Sequence, residues 1–521
     1  MSAAQSATRA AGTPAAPGVA AGTRPRPTPP ARYRNFIGGV WRDSEAPKSV
    51  PNVSPADTRV TYGEVPLSTP SEVEAAVDAA RAAFQGWRDT PPPLRGKILY
   101  RWMQLLEMHR AELAAILAME EGKTFQEAAG EIAKSINIAE FMAGEGRRLG
   151  GDTLPSELPR TFVYTVKQPL GVVAVITPWN FPVAIPVWKM APALVAGNTI
   201  VFKPATLTPW TAQRIVELLE EAGLPPGVVS LIYGSGSAVG SALVQHPAVR
   251  AVSFTGSNEV GSNVYAQGAL RLLKVQCEMG GKNPLIVLED ANLALAADAT
   301  VQGAFGSTGQ RCTATSRAIV VDEVADRFLE LLVERTRQIV VGDPMAEGIT
   351  MGPSVDKHQF ETVLRYLDVA KGEGARLVLG GRKLDTGAHA YGFYAEPTIY
   401  DGVKGSMRIA REEIFGPVLS LIRVADFDEA IQAANDVPYG LSSSLYTRDT
   451  ARTFRYIDLV ETGIVHVNSP TVGGEAQAPF GGMKGTGVGT REQGKVAIDF
   501  FTEIKTSYID YTGTRRESNI Y

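Results

Sequence analysis

Cysteine is nearly absent: Cys277 and Cys312 are the only two in 521 residues. That count excludes a disulfide framework and points to a reducing, cytoplasmic setting. Histidine is scarce too, with five copies and no HExxH or CxxC spacing. No metal site is therefore expected. No uninterrupted apolar run reaches the ~18 residues that cross a membrane as a helix. Neither sign of charge dominates, with 51 Lys and Arg against 55 Asp and Glu, a net charge of −4. The balance gives no electrostatic reason for nucleic acid or an anionic membrane as a partner. Acids are missing altogether before Asp43. Residues 1–33 are mostly Ala, Pro, Thr and Gly with several Arg, a composition that predicts a disordered N-terminal extension. It holds no apolar h-region, so a secretory signal is excluded.

The rest has an ordinary globular composition, 44% hydrophobic and 20% charged. Its length predicts two or three domains. From Tyr33 onward, short apolar runs alternate with helical patterns. Helices are predicted over 70–87, 94–117, 124–142, 187–196, 209–222 and 239–245. Ser68, Thr69 and Ser71 are candidate caps for the first of these. Strands are predicted over 161–167, 171–176, 199–203, 228–233 and 249–255. Apolar strands separated by helices predict an α/β fold with a parallel, doubly wound sheet. A second alternating unit begins near Asn283. Residues 497–511 read as a strand that leaves the main body.

Several strings carry residues suited to carbonyl chemistry. Cys312 stands in Gly309-Gln310-Arg311-Cys312-Thr313, a glycine-flanked polar context for a nucleophilic thiol. A lone cysteine is as often a small buried hydrophobe, so the string alone leaves both roles open. Asn180, in Thr177-Pro178-Trp179-Asn180-Phe181-Pro182, can donate its amide to a developing oxyanion or simply form a turn. Glu278 precedes Met279-Gly280-Gly281, and a carboxylate beside two glycines can act as a mobile general base or sit on the surface. Lys203 ends a strand, where ligands bind doubly wound sheets; a solvated lysine is the alternative. Gly234, Gly236 and Gly240 resemble a dinucleotide fingerprint with one extra residue, or tight turns. Phe254-Thr255-Gly256-Ser257 with Gly261 opens a second helix whose N-terminus can face a phosphate.

Together these strings resemble the aldehyde dehydrogenase superfamily. The resemblance runs from about Phe36 to about Tyr508 and adds Glu412-Glu413-Ile414-Phe415-Gly416-Pro417 and Pro479-Phe480-Gly481-Gly482. It implies an NAD(P)-binding domain over 34–150 and 170–280, and a catalytic domain over 281–495. A small β oligomerisation arm over 151–169 and 496–521 follows too, and with it a homodimer or a dimer of dimers. Cys312 is implied as the nucleophile, Asn180 as an oxyanion donor and Glu278 as the base that activates water. Lys189 and Glu492 match positions linked to proton relay. The implied cofactor contacts are Ile176, Thr177, Trp179, Lys203, Thr206, Gly236, Gly240, Thr255, Gly256, Ser257, Gly261, Gly280, Glu413 and Phe415. Thr206 stands where NAD-preferring members often carry a glutamate, so NADP use beside NAD is expected, with no metal. Phe181, Ile185, Trp188 and Phe480 are the implied pocket walls.

Segments around Glu278, Cys312 and His466 are similar to bacterial α-ketoglutarate semialdehyde (2,5-dioxopentanoate) dehydrogenases. Arg311 then becomes a candidate for the substrate carboxylate, or else a structural pairing residue. Succinate semialdehyde and broad-range aliphatic or aromatic aldehydes remain alternatives. So do a catalytically silent relative and a CoA-acylating enzyme, although a retained Glu278 favours water as the acyl acceptor.

Overall fold

The computed structural model describes residues 24–514. Its organising element is an eight-stranded sheet. Five parallel strands form its centre, in the order Val229–Leu231, Thr199–Lys203, Val172–Ile176, Val249–Thr255 and Lys274–Glu278. The chain starts in the middle at Val172–Ile176 and winds outward to one side. It then crosses over and winds to the other. The crossover leaves a crevice at the carboxyl ends of Val172–Ile176 and Val249–Thr255, where doubly wound sheets bind ligands. Val172–Ile176 is apolar and buried at every position, as a parallel strand covered on both faces must be. Asn35–Ile37 and Val40–Arg42 add an antiparallel edge on one side. Gly487–Val488, far along the chain, closes the other edge against Cys277 and Glu278.

The helices around this sheet start where the sequence has caps. Thr69 and Glu72 form a reciprocal capping box at Pro70–Asp89. Thr124 and Glu127 form another at Phe125–Glu145. The stretch read as one helix over 94–117 is two, Pro92–Met108 and Arg110–Glu121, parted at His109. The stretch 497–511 is also two elements, a short helix Ala497–Phe500 and then strand Thr502–Asp510.

A second, seven-stranded sheet runs in the order Arg376–Leu379, Thr398–Asp401, Val418–Val424, Thr315–Val321, Asn283–Val287, Ser442–Tyr446 and Ile464–Val467. All its pairings are parallel except that of Arg376–Leu379. Thr502–Asp510, Thr161–Pro169 and Thr153–Leu154 make a separate three-stranded antiparallel sheet.

The expected extension over 1–33 needs correcting at its end. Residues 24–33 lie against the body: Arg24 donates to the Ala346 carbonyl at 2.8 Å, and Tyr33 is fully buried. The part before residue 24 lies outside the described residues.

Candidate active site

A cleft of about 920 Å³ opens at the crossover of the first sheet and reaches Cys312. All the cofactor-contacting residues expected from the sequence line it except Gly261. Gly261 is instead a packing residue, since a Cβ there would fall 2.5 Å from the Met279 Sδ. Asn180 and Ile185 also line the cleft. Helix Lys357–Gly372 supplies a wall that the sequence reading missed, with His358, Gln359, Thr362 and Arg365 facing in. The signal was present, because 358, 362 and 365 follow a helical period on one polar face.

The part of the cleft expected to take the cofactor is shaped by close approaches. Lys203 is buried, and its Nζ donates only to the Pro204 carbonyl, at 2.8 Å. Burial brings its pKa down to about 8. Ser257 caps helix Asn258–Ala269, whose first turn borders the cleft. Glu413 accepts from the Gly281 N–H at 2.9 Å, and a Cβ at Gly280 would lie 2.1 Å from its Oε2. Burial raises the Glu413 pKa to about 7. Phe415 adopts a left-handed backbone, φ 58°. Its carbonyl and that of Ile414 are held by Gln359 Nε2 at 2.9 and 3.0 Å. The Phe415 ring meets Trp179 edge-on at 5.5 Å.

Cys312 follows an unusual turn. Ser307, Thr308 and Gly309 are all left-handed, φ 49°, 57° and 68°. Two non-glycine residues in that region cost about 1–3 kcal/mol each, a strain commonly stored next to a reacting group. The Cys312 carbonyl is fixed by Asn283 Nδ2 at 2.8 Å, and the thiol is free. Asn180 Nδ2 donates to the Gln310 carbonyl at 3.1 Å, which brings the amide to the turn that carries Cys312. The Asn180 carbonyl accepts from Lys123 Nζ at 2.7 Å, and Lys123 pairs with Glu131 at 2.6 Å. Glu131 also accepts from the N–H groups of Val183 and Ala184. A buried ion pair thereby anchors the Asn180 loop to two helices.

Burial, with Glu413 and Glu278 nearby, pushes the Cys312 thiol up to about 12, against the opposing pull of Lys134. The unliganded thiol is therefore neutral at pH 7, and its thiolate fraction grows tenfold per pH unit. Alkylation of Cys312 in the unliganded enzyme should rise about tenfold per unit from pH 7 to 9 without a plateau. Peptide mass spectrometry of iodoacetamide-treated protein reads this, and a plateau near neutrality would contradict it. Burial also raises Cys277 to about 12; it sits in the sheet core and is not among the residues that line the cleft.

Glu278 ends strand Lys274–Glu278 and is buried. Its Oε1 lies 2.5 Å from where a Cβ at Gly481 would be, and its Oε2 has no hydrogen-bond partner. Burial first, then Glu492, hold its pKa well above the usual carboxylate range, with Lys189 and Arg491 opposing. Lys189 Nζ donates to Glu492 and to Ser253 Oγ. Glu278, Glu492 and Lys189 are thus buried close enough for their charges to act on one another. Trp188 and Phe480 lie 5.4 Å apart, and the Phe181 ring is covered by Lys123 Nζ at 4.1 Å.

Arg311 does not face the cleft. Its guanidinium bonds to Ser307 Oγ at 2.9 and 3.0 Å and pairs with Glu127 at 3.6 Å. The structural pairing that the sequence allowed for Arg311 is present, and its guanidinium is already engaged. Among the described residues no group of three or more His, Cys, Asp or Glu is placed to hold a metal.

The model of the aldehyde dehydrogenase family matches residues 41–507. The chain belongs to that family. It is 49% identical to the α-ketoglutaric semialdehyde dehydrogenase of Bacillus subtilis, over 92% of this chain and 98% of the relative. It is 45% identical to the α-ketoglutarate semialdehyde dehydrogenase of Haloferax volcanii, over 92% and 99%. Among solved structures, an NADP-dependent enzyme of E. coli superposes with a TM-score of 0.89 at 38% identity, covering 92% and 98%. The betaine aldehyde dehydrogenase of Staphylococcus aureus, in complex with NAD+, superposes at 0.90 and 34%, covering 93% and 96%. The protein is an aldehyde-oxidising enzyme with the α/β fold of this family. No helix among the described residues is long and apolar enough to cross a membrane.

Proposed function

We propose that this aldehyde dehydrogenase oxidises α-ketoglutarate semialdehyde to the dicarboxylate, with Cys312 as nucleophile and NADP or NAD as cofactor. The observation that carries the chemistry is that Cys312 and Asn180 line the same cleft as the dinucleotide-binding residues. The substrate is supported by the names of the relatives at 49% and 45% identity. A succinate-semialdehyde relative from Escherichia coli, at 39%, makes that shorter substrate the second reading.

The cleft suits a dinucleotide. It lies at the sheet's crossover, Lys203 keeps unused donors there, and Gly280 leaves room that a side chain would fill. Lys203 and Thr206 would hold the adenosine side, Ser257 the phosphates, and Glu413 and Phe415, with Trp179 edge-on to Phe415, the nicotinamide riboside. Bound there, NAD(P) supplies the two-electron acceptor for the oxidation.

Cys312 Sγ gives up its proton to water and adds as the thiolate to the aldehyde carbon, and the carbonyl oxygen becomes an oxyanion. Asn180 Nδ2 and the Cys312 N–H donate to that oxygen, an effect worth about 3 kcal/mol per donor. Cys312 then carries the oxidised carbon as a thioester. Glu278 takes a proton from water, which attacks the acyl carbon and releases the carboxylate and the thiol. Lys189 and Glu492 pass the proton on from Glu278.

Initial rates on α-ketoglutarate semialdehyde, succinate semialdehyde, and one aliphatic and one aromatic aldehyde test the substrate. The keto-acid semialdehyde should have the largest kcat/KM. Equal or better rates on uncharged aldehydes would end this reading while leaving the chemistry intact.

Thr206 lines the cleft without a charge, so a 2′-phosphate meets no repulsion there. Thr206→Glu should lower kcat/KM for NADP at least about tenfold and spare NAD, because a like charge beside a phosphate disfavours it. Equal effects on both cofactors would remove Thr206 from the contact.

Strand Thr502–Asp510 is the edge of its small sheet. Ile504 and Tyr508 on it are 69% and 71% exposed. An exposed apolar edge of this kind supports strand pairing with a second copy, and so a homo-oligomer. Two free thiols fit a cytoplasmic location.

A further inference from the structure

The cations around the active site nearly all have partners. Lys123 is paired with Glu131, Lys189 with Glu492, and Arg311 with Glu127. Lys282 lacks a hydrogen bond but is enclosed near Arg317 and Glu413. Lys134 differs. It stands on helix Phe125–Glu145, and among the described residues it has no hydrogen bond and no ion pair. Its Nζ lies 5.2 Å from the Trp188 ring centre and 5.7 Å from that of Phe480. These are two of the three aromatic walls expected for the substrate pocket, the third being Phe181. A Cβ at Gly474 would come within 3.5 Å of the same Nζ, so the absent side chain there keeps the ammonium uncovered.

The surroundings offer Lys134 no free counter-charge. Glu131, one turn earlier on the same helix, gives its oxygens to Lys123, Val183 and Ala184. Burial holds the Lys134 pKa below the usual lysine value, with Cys312 and the already engaged Glu131 opposing and Arg311 adding to it. The Trp188 Nε1 is buried as well and has no acceptor. A cation over two aromatic faces, with unused N–H donors and a neutral donor on the adjoining ring, is half of an anion site.

We propose that Lys134 recognises the carboxylate at the far end of the semialdehyde, with Trp188 as floor, while Cys312 takes the aldehyde end. The assignment deepens the substrate reading above and rests on it. An uncharged aldehyde would fill the same apolar walls but leave the ammonium unpaired. Selection for an acid semialdehyde then comes from Lys134 and not from Arg311, which is already engaged.

The test compares wild type, Lys134→Met and Lys134→Arg on α-ketoglutarate semialdehyde, succinate semialdehyde and pentanal. The quantity read is the ratio of kcat/KM for each semialdehyde to that for pentanal. Lys134→Met should lower the ratio at least about thirtyfold, mostly through KM, as expected for a charge-assisted hydrogen bond. Lys134→Arg should retain most of it. Thermal melts establish that the variants fold. If wild type prefers the semialdehydes and Lys134→Met keeps that preference, the Lys134 assignment fails and the substrate reading stands. If both substrate classes lose equally, Lys134 acts on Cys312 or on packing, and the assignment also fails. If wild type prefers pentanal, the substrate reading falls and takes the assignment with it.

Discussion

Cys312→Ala should lower aldehyde oxidation by about 10⁴-fold or more, because the covalent step has no substitute nucleophile. The fold should survive. The thiol is free, the turn is held by backbone and by Asn283, and a neutral thiol removes no charge when it goes. Cys277→Ala is the internal control. Its Sγ sits in the sheet core, where loss of a small apolar group costs about 1 kcal/mol and leaves activity within a few-fold. Steady-state rates and melting curves on both variants decide the matter. Activity above about one per cent of wild type in Cys312→Ala would remove the thiol from the mechanism, as would loss of activity only in Cys277→Ala.

The cleft was legible because strand ends and turn glycines mark it directly. Thr177, Lys203, Thr255 and Gly256 each follow or end a strand of the crossover sheet. Arg311 was not legible. Adjacency to a nucleophile says nothing about direction, and three left-handed residues just before it turn the chain so that its guanidinium returns to Ser307 and Glu127. Lys134 was hidden for a related reason: one lysine in a helical pattern reads as a solvated face, and only the fold sets it over Trp188 and Phe480. The break at His109 leaves no glycine or proline behind, so periodicity carries through it. Residues 24–33 look disordered by composition, yet Tyr33 fills a core position that composition cannot reveal.

Glu278→Gln should separate the two halves of the reaction. Acylation of Cys312 does not need the carboxylate, whereas release of the acid needs a base to activate water. Loss of a general base lowers that step about 10²- to 10⁴-fold. A burst of reduced cofactor, close to one per active site, should therefore persist while the steady state collapses. The pH dependence has a definite sign. Burial and Glu492 raise the Glu278 pKa, so the base form grows as pH rises, and wild-type deacylation should climb with pH. In Glu278→Gln the residual deacylation should be flat across that range. Stopped-flow absorbance of the reduced nicotinamide resolves burst and steady state together. Loss of the burst along with turnover would place Glu278 before the thioester. The base would then have to be sought in Glu492, which is buried beside it and bonded to Lys189.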